Sequence, residues 1–87
     1  MDISKLIGLN TKWYRYQNKL TQEQFAEAMN FKISYVSYVE NGSANITARN
    51  IELIANYFKI PIYKLFDENT AQKATQLPIR IDMMGKK

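Results

Sequence analysis

Residues 20–42 read LTQEQFAEAMNFKISYVSYVENG. The first signal in this stretch is a helix start. Thr21 is followed three residues later by Gln24, a capping-box pair: the threonine oxygen takes the Gln24 amide and the glutamine side chain reaches back to the Thr21 amide. Leu20 before the cap and Phe25 inside the first turn form a hydrophobic staple. A helix therefore begins at Gln22. It should end near Met29, because Asn30 tolerates the left-handed conformation of a helix exit. Phe31 and Lys32 lead into a second helix, expected over Ile33–Glu40, and Asn41-Gly42 stops it.

Two short helices joined by so few residues must cross steeply, with their backbones close together. A small residue is required at the crossing, and Ala26 stands there. The turn requires a residue that accepts positive φ, and Asn30 supplies it. Val36 and Val39 face inward from the second helix, and Met29 plugs the same interior. This is the helix-turn-helix arrangement, whose second helix can enter the major groove of DNA.

Working outward, residues 3–18 predict a first helix, with Ile3, Leu6, Ile7 and Tyr14 near one face and Asp2 placed to cap it. Trp13 and Tyr16 lie off that stripe and suggest contact with the tail or a partner subunit. Thr47 caps a fourth helix, with Ile46 and Ile51 as its staple and Ile51, Ile54, Ala55 and Phe58 as its buried face. Pro61 suits the first position of a short fifth helix that returns Ile62, Leu65 and Phe66 to the core. The expectation is an all-α, five-helix domain over residues 1–66. Residues 67–87 form a C-terminal tail. Its 67–76 part is polar with no apolar face. Its 77–83 part alternates apolar and other residues with period two, as in a β-strand. A disordered tail is the alternative.

Composition narrows the function. The chain has 87 residues, no Cys and no His. That excludes disulfides, thiol chemistry and thiolate zinc sites, and it removes the commonest general base and metal ligand. The expectation is a binding protein, not an enzyme, with no cofactor and no metal. No apolar run is long enough for a membrane span, and the N-terminal stretch does not read as a signal peptide, so a cytoplasmic protein is expected. Twelve basic against eight acidic residues give +4 and a pI near 9.4. Such a balance favours polyanionic partners, although no basic block is dense enough to read as an arm.

The stretch 20–26 resembles the opening of the Xre (Cro/phage-repressor-like) helix-turn-helix family. Residues 34–42 resemble the same family's recognition helix and its closing Glu-Asn-Gly. Residues 51–55 and 60–66 resemble its fourth and fifth helices, so the likeness runs through about 6–66. It implies a five-helix, lambda-repressor-like domain that regulates transcription as a homodimer on double-stranded DNA. It also implies that Arg15 pairs with Glu40 to clamp the first helix to the recognition helix. The sequence departs from the family pattern at Asn30, usually Gly, and at Lys32, usually a capping Ser or Thr. It departs again at Ile33 and Tyr38, where Arg, Gln or Lys is frequent.

If the helix Ile33–Glu40 enters the groove, Ile33, Ser34, Ser37 and Tyr38 meet base edges. Ile33 suits a thymine methyl, and the serines suit either base type. For Ile33 the alternative is a core residue; for Tyr38, packing or a phosphate contact. Lys32 is the charged ligand at the entrance. Thr21, Gln22, Tyr35, Asn41, Ser43 and Asn45 are the candidate contacts to the DNA backbone, with Gln22 at a helix N-terminus that favours anions. Capping alone could account for Thr21, and helix termination for Asn41. So few cations suggest that DNA shape and bridging waters carry much of the specificity. One such domain covers one half-site, so a dimer is expected. It would form through Ile62, Tyr63 and Phe66 or through the edge of the 77–83 strand. The function expected is a sequence-specific repressor at a palindromic operator, with an unknown regulatory protein partner. A protein-interaction module that keeps the fold without DNA binding is the alternative.

Overall fold

A computed structural model describes residues 1–81. It contains α1 (Ile3–Gln17), α2 (Gln22–Met29), α3 (Ile33–Glu40), α4 (Ala48–Phe58), a 3₁₀ turn (Ile62–Phe66) and α5 (Glu68–Ala74). No strand occurs among the described residues, and none of their helices is long and apolar enough to cross a membrane.

The sequence signals act as the residue types require. Asp2 caps α1 through the Lys5 amide. Both halves of the Thr21–Gln24 capping box form, at 3.0 and 2.9 Å. Thr47 caps α4 by accepting from the Asn50 amide. Asn30 sits at φ 58° and ends α2, while the Phe31 amide closes back on the Ala26 carbonyl. Lys19 and Lys59 adopt the same left-handed conformation after α1 and α4. There the amides of Leu20 and Ile60 bond back to the Arg15 and Ala55 carbonyls, so both helices end with the same closure without glycine.

The core has two parts. The larger holds Phe25, Ala26, Val36, Ile54, Ala55 and Leu65. Phe25 stacks on Phe58 with ring centroids 5.2 Å apart. The smaller lies between α1 and α5, where Leu6, Leu9, Ala71 and Ala74 are buried with Trp13 and Leu77 against them. Phe66 packs against both. Asn10, wholly buried, gives its amide to the Leu6 and Asp67 carbonyls and so ties α1 to the start of α5.

Several expectations change here. Residues 67–76 are not a polar tail without an apolar face. Asp67 caps α5 through the Thr70 amide, and the alanines at 71 and 74 are the apolar face, small enough to lie flush on α1. The segment after Pro61 is a 3₁₀ turn with Leu65 buried, while Ile62 remains exposed. Ile3 is exposed as well. Tyr16 is completely buried, and Trp13 packs with α5, so the residues off the first stripe of α1 belong to a second one that meets the tail. Over 77–81 the chain bends and no strand forms; the Leu77 amide bonds to Ala74 and the Pro78 carbonyl is taken by Tyr16. Asp82 and Met83, the end of the expected strand, lie outside the described residues.

Gly8 decides how closely α1 meets α3. A Cβ at Gly8 would stand 2.0 Å from the Val39 carbonyl oxygen, so only glycine permits this approach. Gly8→Ala should destabilise the fold by about 3 kcal/mol, the upper end of overpacking costs, in urea unfolding; wild-type stability in that variant would contradict the close approach.

Asp67 gives a pH dependence. The Thr70 amide, bonded to its carboxylate, holds its pKa below the ordinary value. A lowered folded pKa contributes stability above the unfolded value, and that contribution is lost as pH falls through the folded one. Trp13 is the sole tryptophan and lies against α5, so its fluorescence reports the docking. Acidification should shift the Trp13 emission, and Asp67→Asn should remove that component of the shift.

Candidate nucleic-acid interface

The geometry of α3 follows from what its inner face holds. Val36 and Val39 are buried, and Gly8 lets α1 lie directly against the backbone of Val39 and Glu40. The opposite face is open. Ile33 is 51% exposed and Tyr38 59%. Ser34 is exposed and Ser37 half-buried. The side chains proposed for base edges therefore share one strip of a short helix, exposed at Ile33, Ser34 and Tyr38 and partly covered at Ser37.

Its pose is fixed by one ion pair. Arg15 Nε and Nη2 reach Glu40 Oε2 and Oε1 at 2.6 and 2.8 Å, and both side chains are 4% exposed. The remaining guanidinium nitrogen, Nη1, donates to the Leu20 carbonyl at 2.7 Å. A planar fork with several donors suits this task, and a lysine could not make the same bidentate bracket. Gln22 adds a third element: its amide donates to Glu40 Oε1 at 3.1 Å. The Glu40 carboxylate at the end of α3 is thus held from α1 and from the first residue of α2. Below it, the Arg15 guanidinium lies 4.7 Å from the Tyr16 ring centroid.

The flanking donors have distinct local roles. Tyr35 is half-buried, edge-on to Phe31, and its hydroxyl accepts from Asn50 Nδ2 at 2.9 Å, tying α3 to α4. Asn41 Oδ1 accepts from the Ser43 amide at 3.0 Å. This Asx-turn folds the loop after α3 and leaves the Asn41 amide nitrogen as a donor. Lys32 is exposed at the start of α3 and makes no side-chain cap, so the first amides of α3 have no capping side chain. Asn45 is exposed in the same loop as Ser43.

Two clefts border this strip. One, of about 150 Å³, brings Gln22, Ser37 and Asn41 together with Lys12. The other, of about 590 Å³, lies between Thr21, Gln22 and Ile33 on one side and the tail on the other. Sequence reasoning missed Lys12, the Gln22–Glu40 bond and the approach of the tail. Lys12 sits on α1, and nothing in its local sequence signals that it borders a cleft beside α3.

Two short packed helices joined by a three-residue turn, the second braced on its inner side and open on its outer face, define a helix-turn-helix domain. A family model described as helix-turn-helix matches residues 12–65. The control protein C.SmaI of Serratia marcescens is similar to this chain, 32% identical over 65 residues that cover 75% of this chain and 77% of that protein. The chain belongs to the Xre-type helix-turn-helix family.

The bracket has an energetic signature. Removing one partner of a buried ion pair costs about 3–5 kcal/mol because the other charge is left unpaired. Arg15→Met and Glu40→Leu should each cost that much, and the double variant much less than the sum. Additive losses in a double-mutant cycle would contradict the coupling.

Proposed function

We propose that this chain is a sequence-specific regulator of transcription that binds duplex DNA as a homodimer, inserts α3 of each copy into the major groove of a palindromic operator, and represses by occupying it. The observation that carries this reading is the strip formed by Ile33, Ser34, Ser37 and Tyr38, exposed at Ile33, Ser34 and Tyr38 and half-buried at Ser37, and held in place by the Arg15–Glu40 bracket. The relative's description as a control protein favours regulation over a purely structural role.

In this reading Ile33 and Tyr38 make apolar and hydroxyl contacts, and the two serines read either base type through hydrogen bonds. Thr21, Gln22, Lys32, Tyr35, Asn41, Ser43 and Asn45 position the domain on the phosphates. Thr21 and Tyr35 do so with groups that already serve the fold, through the α2 cap and the bond to Asn50. Most of these donors are neutral, so affinity falls with salt less steeply than for a lysine-rich binder, whose slope is about −0.9 per phosphate neutralised.

A second copy supplies the other half-site. Ile62 and Tyr63, 44% and 70% exposed, form the apolar surface favoured for that contact. Phe66 packs inward against both cores instead. Such a regulator works in the cytoplasm, where its duplex is. It needs no cofactor or metal in this scheme and has no catalytic step.

Selection of bound duplexes from random DNA tests the reading. The expected product is a palindrome whose half-sites lie about 34 Å apart, one helical turn. Lys32→Gln should then weaken binding evenly across sequences, and Tyr38→Ala should relax preference at particular bases. Tyr63→Glu should give a monomer in sedimentation and lower the affinity for the full palindrome. No enriched motif together with a flat salt response would favour the protein-interaction alternative.

A further inference from the structure

The segment after α5 returns to the interface. The Thr75 and Gln76 amides bond back to α5 carbonyls and turn the chain. Tyr16, wholly buried in α1, then donates its hydroxyl to the Pro78 carbonyl at 2.6 Å. That bond carries the backbone across α1 toward α2 and α3. Ile79 borders both clefts beside the recognition helix: the smaller with Lys12, Gln22, Ser37 and Asn41, the larger with Arg80 and Ile81 opposite Thr21, Gln22 and Ile33. Glu23 lines the larger cleft too, as its one carboxylate among the described residues.

The placement is lateral. Ile79 is 87% exposed, so it does not plug the face, and Ser34 and Tyr38 remain open. The cleft of about 590 Å³ between residues 79–81 and the start of α2 is an open channel along the side where Thr21 and Gln22 would meet phosphates. The tail brings Arg80 to this cleft, whose other cation, Arg15, is engaged by Glu40; Lys12 of α1, with its ammonium 5.7 Å from the Tyr16 ring centroid, borders the smaller cleft, which shares Gln22 and Ile79 with the larger. The sequence beyond adds Lys86 and Lys87 against Asp82.

We propose that residues 78–81 are a second DNA-contacting arm, anchored by Tyr16, that lines the path of one phosphate backbone with Arg80 and Lys12 as its cations. This rests on α3 being the duplex-reading helix. It supplies the charge that the recognition helix lacks, and it gives Tyr16 the role of a positioning residue. An arm that blocked the face instead would have the opposite effect on affinity.

The test measures affinity of the full chain and its variants for a labelled mixed-sequence duplex over a range of salt. Arg80→Gln should weaken binding several-fold and make the slope of log affinity against log salt shallower by about 0.9, the value for one lost phosphate contact. Removal of residues 78–87 should weaken it at least as much. Tyr16→Phe should weaken it while leaving the thermal melt close to that of the wild type. Lys64→Gln, an exposed cation on the 3₁₀ turn, should leave affinity and slope nearer the wild type. Unchanged affinity and slope in both Arg80→Gln and the shortened chain would overturn the arm. Tighter binding by either would overturn it too, by making the segment an obstruction. Failure of the wild-type chain to bind any duplex would remove the reading of α3 and the arm with it, whereas binding that survives both tail changes leaves α3 standing alone.

Discussion

The Arg15 guanidinium holds three acceptors at once: both oxygens of Glu40 and the carbonyl of Leu20. These belong to the end of α3 and to the turn that leads into α2, while Arg15 itself is on α1. One planar group thereby fixes the relative placement of three helices. Gln22 closes the arrangement by donating to the same carboxylate. The desolvation of two charges offsets much of their attraction, so what the bracket adds is directional contact between the helices more than net stability. A hydrophobic pair of equal volume could hold the helices together, but it would not set their rotation with the same directional contacts.

Other features depend on that placement. Gly8 lets α1 approach the Val39 carbonyl, which brings Arg15 within reach of Glu40. Tyr16, next in sequence, lies beneath the guanidinium and passes its hydroxyl to the tail. A continuous line of contacts thus runs from Pro78 through Tyr16 and Arg15 to Glu40 and Gln22. It joins the last part of the described chain to the face proposed to read DNA. A short α3 with little charge suits a domain in which the recognition helix contributes shape and hydrogen bonds, while cations are brought to the edges of the interface.

Local chemistry made much of this legible in the sequence. The Thr21–Gln24 box, the Asn30 turn and the Thr47 cap act between neighbouring residues, so their residue types specify their geometry. The Arg15–Glu40 pair was reached through family resemblance instead, since no local rule joins residues so far apart. The tail was misread for a related reason. Ala71 and Ala74 look featureless in a polar stretch and become an apolar face only because Leu6 and Leu9 are opposite them. The alternation at 77–83 suggested a strand, but the Tyr16 hydroxyl captures the Pro78 carbonyl and the chain bends over 77–81. Gly8 gave no sequence signal, because a glycine inside a helix shows its purpose only when the partner backbone is in place.

The most direct measurement is an NMR titration of the isotope-labelled protein with duplex DNA, following each backbone amide. The account predicts that the largest shifts fall on Lys32, Ile33, Ser34, Ser37 and Tyr38 and on the start of α2, with Ile54 and Ala55 in the core little affected. Shifts confined to Ile62 and Tyr63, or none at DNA concentrations that saturate a helix-turn-helix control, would contradict it.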